Sequence, residues 1–243
     1  MMQMQSRRKQ ETLAVSGIAP EVRQVLVAIS HAISMERTEL PNEFYPSHLP
    51  VALINAVCRT RLGSGAPTTS SAERYCNHFG IASMRARIRE PIAADEQETL
   101  GDLIGRFDEL GVDRMANEVF QTSHGSTEAT IRKAKNILRA AKVLRHIGID
   151  VLQDIPARCP DGIDDALRCL PGVGAVTIRT LLMYTGDDDF VRGDIHVRNF
   201  VSSALFRRTI PGERAKELVR QCAYELILAP RFLDFEIWKL RGA

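Results

Sequence analysis

The chain has 243 residues and a mass of 27.1 kDa, enough for one domain with a sizeable core or for two small ones. Hydrophobic residues make up 44% and charged residues 26%, which excludes an intrinsically disordered protein, and no apolar run approaches the ~20 residues of a bilayer span. A net charge of +2 names no partner by itself, since nucleic-acid binding requires positive charge to be gathered locally.

In chain order, the opening MMQMQSRRKQETLAV carries a basic patch but neither a long apolar stretch nor a small-residue cleavage site, so a secretory signal is not expected. Val22, Val25, Leu26, Ile29 and Ile33 form the apolar stripe of an amphipathic helix within residues 13–35. Pro46 breaks the pattern, an apolar helix follows over 49–62, and residues 63–71 read as a Gly/Pro/Ser/Thr loop. A short helix over 70–79 ends at Gly80. Two acidic-faced helices are predicted over 95–110 and 113–120.

Residues 127–147 predict a long helix carrying Arg132, Lys133, Lys135, Arg139, Lys142 and Arg145, with no acid from Ile131 to His146. These cations fall on more than one face, and taken alone the helix reads as a solvated counterweight to the acidic helices before it. A short helix over 164–170, the hairpin described next, a helix over 176–184 and a polar loop at 186–189 follow. Helices over 194–205, 211–228 and 230–239 complete an all-α protein of ten or eleven helices.

Cys58, Cys76, Cys159, Cys169 and Cys222 are scattered and form no C-x-x-C pair. They read as reduced, mostly buried thiols of a cytosolic protein, with no metal site built on cysteine spacing.

The most informative stretch is LPGVGAVT, residues 170–177. Two glycines two apart, after Pro171 and ahead of a helix, allow the backbone to pass close to another molecule. The N–H groups of Gly172, Val173 and Gly174, with the positive end of the following helix, are suited to a phosphate. An ordinary helix-turn-helix corner needs the same glycines, so both readings stand. Asp194 lies 18 residues after Val176, where it opens the next helix; a plain N-cap explains it equally well.

Together these segments resemble the helix-hairpin-helix, Gly/Pro-rich loop and aspartate (HhH-GPD) superfamily of DNA glycosylases, typified by endonuclease III. The likeness rests on Leu170 to Gly174 with Thr177, and on Asp194-Ile195-His196-Val197, which fits D-x-H-[IV]. It extends more weakly to Lys133-Ala134-Lys135-Asn136-Ile137, to Leu49–Val57 and to Phe235–Gly242. The resemblance implies two helical domains, residues 46–186 with the hairpin and residues 1–45 plus 187–243 with the aspartate, and a DNA-binding cleft between them.

It further implies a monomeric base-excision enzyme of the cytoplasm or nucleoid, acting on duplex DNA with a damaged or mismatched base. Asp194 is then the catalytic carboxylate; Gly172, Val173, Gly174, Thr177, Arg179, Arg192, Arg198, Lys133 and Lys135 are DNA contacts, and Arg59, Thr60 and Arg61 are candidates for the base pocket. His196 reads as a packing or hydrogen-bonding residue, Trp238 as core, and Tyr45 and Tyr184 as core rather than stacking platforms. In the bifunctional members a Schiff-base lysine stands where this chain has Val176, so lyase chemistry does not carry over. The chain ends where the four-cysteine cluster of endonuclease III begins, so no iron–sulfur cluster is implied, and neither metal nor cofactor is expected. A non-catalytic helix-hairpin-helix DNA-binding protein is the competing reading.

Overall fold

The computed structural model describes residues 18–34, 36–58, 70–85, 92–121, 127–155, 160–185, 187–207 and 209–240. The described residues are helical, with no strand among them and a single isolated bridge between Pro46 and Met84. The helices are α1 (Pro20–Ala32), α2 (Leu49–Cys58), α3 (Ser71–Phe79), α4 (Leu100–Arg114), α5 (Thr127–His146), α6 (Pro160–Arg168), α7 (Ala175–Tyr184), α8 (Ile195–Ala204), α9 (Gly212–Glu225) and α10 (Pro230–Lys239). None is long and apolar enough to cross a membrane.

Local chemistry explains where the expected boundaries move. Ser70 caps α3 through a reciprocal pair with Glu73, the Glu73 N–H donating to Ser70 Oγ at 3.1 Å. The helix expected from residue 95 starts at Leu100 instead, because Thr99 and Asp102 make the same capping pair one turn later. The two expected acidic helices are parted at Gly111, whose φ of +77° and ψ of 158° are not helical and break α4 there, and the second leads into a π-helical turn over Met115–Phe120. α6 begins at Pro160, ahead of the expected residue 164.

The chain divides into two compact units, Pro41–Asp187 and Met1–Leu40 with Asp188–Ala243. In the Pro41–Asp187 unit, α2 is apolar all round and buried from Leu49 to Ile54, with α3, α5 and α7 packed on it. Residues 41–45, expected with the termini, belong here: Phe44 stacks on Tyr184 at 5.4 Å, and both rings, like Tyr45, are buried. At the head of α4 the buried carboxylate of Glu98 accepts the Tyr75 hydroxyl and pairs with Arg106 at 3.0 Å. In the unit formed by the termini, α9 packs on α1, α8 and α10. Of the described cysteines, Cys76 and Cys222 are buried, Cys58 is intermediate and Cys169 is exposed, so the expectation of mostly buried thiols holds only in part.

Candidate functional site

Within the Pro41–Asp187 unit, the turn between α6 and α7 is closed by two backbone bonds: Leu170 N–H to Leu167 O (3.0 Å) and Val173 N–H to Leu170 O (3.1 Å). Gly172 sits at φ +83°, and a Cβ there would run into the side-chain amide of Asn136 on α5. Val173 is 3% exposed, so its side chain anchors the turn and its amide is already engaged. That corrects the sequence expectation: Val173 does not present an N–H to a phosphate. Gly174 caps α7 in extended conformation without a side chain, and the first helical rung is Ile178 N–H to Gly174 O at 3.1 Å. The first-turn amides of Ala175, Val176 and Thr177 therefore lack helical acceptors. Pro171, Gly172, Gly174, Ala175 and Val176 are exposed, which leaves a rim of backbone donors at the positive end of a helix.

Gly172→Ala should destabilise this unit by about 1–3 kcal/mol, from the left-handed backbone and the Asn136 collision together. Denaturant unfolding of Gly172→Ala, Asn136→Ala and the double variant checks it. The double variant is expected to be less destabilised than the two singles added, because removing the amide relieves the clash.

The long basic helix resolves into two functions. Lys133 turns inward and donates from Nζ to the Cys58 carbonyl at 3.2 Å, where it caps the negative end of α2 instead of standing ready for a phosphate. Arg132, Lys135, Arg139 and Lys142 are all exposed, and their spacing of three, four and three residues puts them on one face. None of the four has an acidic partner among the described residues. The stripe runs ~15 Å, the axial rise of about four phosphates on one DNA strand. Arg179, on α7, is partly exposed. Arg59, Thr60 and Arg61 lie outside the described residues, and so does Cys159.

In the unit formed by the termini, Asp194 caps α8. Its Oδ1 accepts from the N–H groups of His196 (2.9 Å) and Val197 (3.2 Å), and its carbonyl accepts from Arg198 N–H (3.0 Å). Oδ2 has no hydrogen-bond partner among the described residues, and the side chain is partly exposed. Gly193, just before it, has φ +57°, and a Cβ there would meet the aliphatic chain of Lys216 at 2.5–3.0 Å.

Of the two arginines flanking Asp194, Arg192 is not poised for a phosphate, while Arg198 is partly exposed. Arg192 is buried in a fork on Asp234: its main-chain N–H donates to Oδ1 (3.1 Å), Nε to Oδ2 (2.6 Å) and Nη2 to the Asp234 carbonyl (3.3 Å). Its guanidinium lies 5.7 Å from the centre of the Trp238 ring, which is itself only partly buried and stacks on Phe235. Arg198 donates from Nε to the Ile210 carbonyl at 3.1 Å and braces the segment leading into α9. Sequence reasoning missed Asp234; its one signal was an acid set between Leu233 and Phe235 on an apolar helix.

The family model that matches is described as a domain of unknown function, DUF8548, and it spans residues 23–241. The chain belongs to the DUF8548 family. Nothing matches it among curated proteins or among solved structures. The DUF8548 match runs over the hairpin, the basic stripe and Asp194 alike, and over both compact units.

Chemically, this DUF8548 chain offers backbone donors and a row of cations in one unit, and a carboxylate with one uncommitted oxygen in the other. Among the described residues no group of three His, Cys, Asp or Glu side chains is arranged to hold a metal ion. Burial pushes the Asp234 carboxyl up to about 6, against the attraction of Arg192, and the negative charge of Asp194 adds to the rise. A carboxyl raised on folding binds its proton more tightly in the native state. Stability from this group is therefore greatest at low pH and is lost as pH rises from about 4 through 6. The stability of wild type relative to Asp234→Asn should fall by about 2 kcal/mol between pH 4 and pH 7, measured by denaturant unfolding at each pH.

Proposed function

We propose that this protein is a monofunctional DNA glycosylase that hydrolyses the N-glycosidic bond of a damaged or mismatched base in duplex DNA. The observation that carries the reading is the pairing, at the spacing of the HhH-GPD superfamily, of an LPGVG hairpin whose Pro171, Gly172 and Gly174 are exposed with an Asp194 whose Oδ2 is uncommitted. In this reading both segments serve one duplex. The amides of Gly172, Gly174 and the first turn of α7 grip a phosphate without reading sequence, and the stripe on α5 adds Coulombic hold.

The target base is flipped out of the stack at a cost of a few kcal/mol. As the C1′–N bond breaks, its electron pair leaves with the base and positive charge builds on the sugar. Asp194 stabilises that charge through Oδ2 and takes a proton from the water that adds to C1′. Val176, 74% exposed, occupies the position of the lysine in bifunctional relatives. Valine carries no amine, so the product is an abasic site on an unbroken strand.

The competing reading, a DNA binder without turnover, draws on the fact that cap bonds alone account for Asp194. A panel of duplexes, each with one lesion, separates the two when treated with wild type and Asp194→Asn and then with or without alkali. Strand breaks seen only after alkali, and lost in the variant, support the glycosylase and identify its substrate. Breaks without alkali contradict the monofunctional assignment. Tight binding with no product on any lesion favours the binder.

A further inference from the structure

The reaction above leaves the Arg192–Asp234 pair without a part, although it is the most deeply buried ion pair among the described residues of its unit. Both side chains are shut away from water, at 6% and 0% exposure, so solvent does not compete for their hydrogen bonds. Asp234 grips main chain and side chain of Arg192 together, with both carboxylate oxygens and its own carbonyl engaged. One residue later Gly193 takes a left-handed conformation that admits no side chain, because Lys216 lies across it and its carbonyl is 3.4 Å from where a Cβ on Gly212 would be. The segment entering α8 is thus fixed by α10 on Arg192 and by α9 on Gly193, and the next residue is Asp194.

We propose that Asp234 and Arg192 are the positioning residues of Asp194. Their fork sets the backbone two residues ahead, so that Oδ1 stays in the helix cap while Oδ2 is presented. The pair also has an electrostatic task. With Nε committed to the Asp234 carboxylate and Nη2 to the Asp234 carbonyl, the Arg192 guanidinium is held by Asp234 and does not neutralise Asp194. Stability does not account for the arrangement. Buried ion pairs are commonly replaceable by apolar residues without loss, and Asp234 is a carboxyl that folding drives toward its neutral form. The consequence for catalysis rests on the glycosylase reading; the positioning itself does not.

The test uses the full chain with Asp234→Asn, Arg192→Lys and the apolar double variant Arg192→Met/Asp234→Leu, the last chosen because it keeps the volume and removes the buried charges. Amide hydrogen exchange at His196 and Val197 reports the Asp194 cap directly, with Leu218 and Val219 in α9 as references. All three variants should exchange at His196 and Val197 at least about tenfold faster, with the α9 amides little changed. On a lesion that wild type excises, the single-turnover rate should fall about 100-fold while duplex affinity stays within about threefold. A folded double variant with unchanged exchange at His196 and Val197 overturns the proposal. Faster exchange with the excision rate retained overturns its catalytic half. Faster exchange in a protein that excises no lesion leaves the positioning standing and removes the glycosylase reading.

Discussion

Replacing Asp194 by Asn should lower the single-turnover rate of base excision by about 10³-fold and leave duplex affinity and fold nearly unchanged. Asn retains a side-chain oxygen that accepts from His196 and Val197, and it ranks with Asp as an N-cap, so the start of α8 survives. On the glycosylase reading, what disappears is the negative charge that stabilises the sugar and the acceptor for the proton of water. Asp194→Ala tells a different story, because it removes the cap as well and should cost about 1 kcal/mol of stability. Single-turnover kinetics and thermal unfolding on both variants separate the two duties of this side chain. A rate within tenfold of wild type for Asp194→Asn would remove it from the chemistry.

Neutralising the exposed face of α5, with Arg132, Lys135, Arg139 and Lys142 all changed to Gln, should weaken binding to undamaged duplex by two to three orders of magnitude, roughly, at 0.1 M salt. The more diagnostic quantity is the dependence of log affinity on log salt concentration. Each phosphate contact contributes about 0.9 to that slope, so losing four should reduce it by roughly 3 to 4. Lys133→Gln is the matched control. Its ammonium caps the Cys58 carbonyl, so its loss should appear in stability and leave the slope alone. An unchanged slope in the fourfold variant would make the stripe a solvated face and nothing more.

The helices were legible because local rules and burial agree in them. The period of Val22, Val25, Leu26 and Ile29 marks the buried face of α1, and Pro230 opens α10 where Pro at a first turn predicts it. Where the reading slipped, two local signals competed. Asp95 and Glu96 looked like a first turn, but Thr99 with Asp102 made the stronger cap. The division between the two acidic helices, by contrast, falls in the expected gap, at Gly111, whose φ of +77° and ψ of 158° take the chain out of helical backbone.

The candidate site was legible where its chemistry is contiguous, in the hairpin and in Asp194. It was illegible where partners are distant in sequence. Lys133 meets a carbonyl 75 residues away, and Arg192 meets a carboxylate 42 residues away. In the sequence both look available to phosphates, because a cation near a motif looks unattached until the fold supplies its acceptor. The same blindness hid the stripe. Its spacing was present in the sequence, but only the contact of Lys133 with Cys58 and the pairing of Arg145 with Asp150 leave the other four as the stripe.

The way the chain is divided bears on how it is made. The Pro41–Asp187 unit is one uninterrupted stretch, whereas the other unit joins Met1–Leu40 to Asp188–Ala243. During synthesis the first can close its loops as soon as residue 187 is available; the second must wait for contacts across more than a hundred intervening residues. α1 therefore spends most of translation without α9, and Arg192 emerges well before Asp234 arrives to claim it. The order of assembly puts the hairpin and the basic helix first and the seat of Asp194 last. Slow, late-forming steps in refolding should accordingly be read out at α8 and α10, while the contiguous unit reaches its native state early.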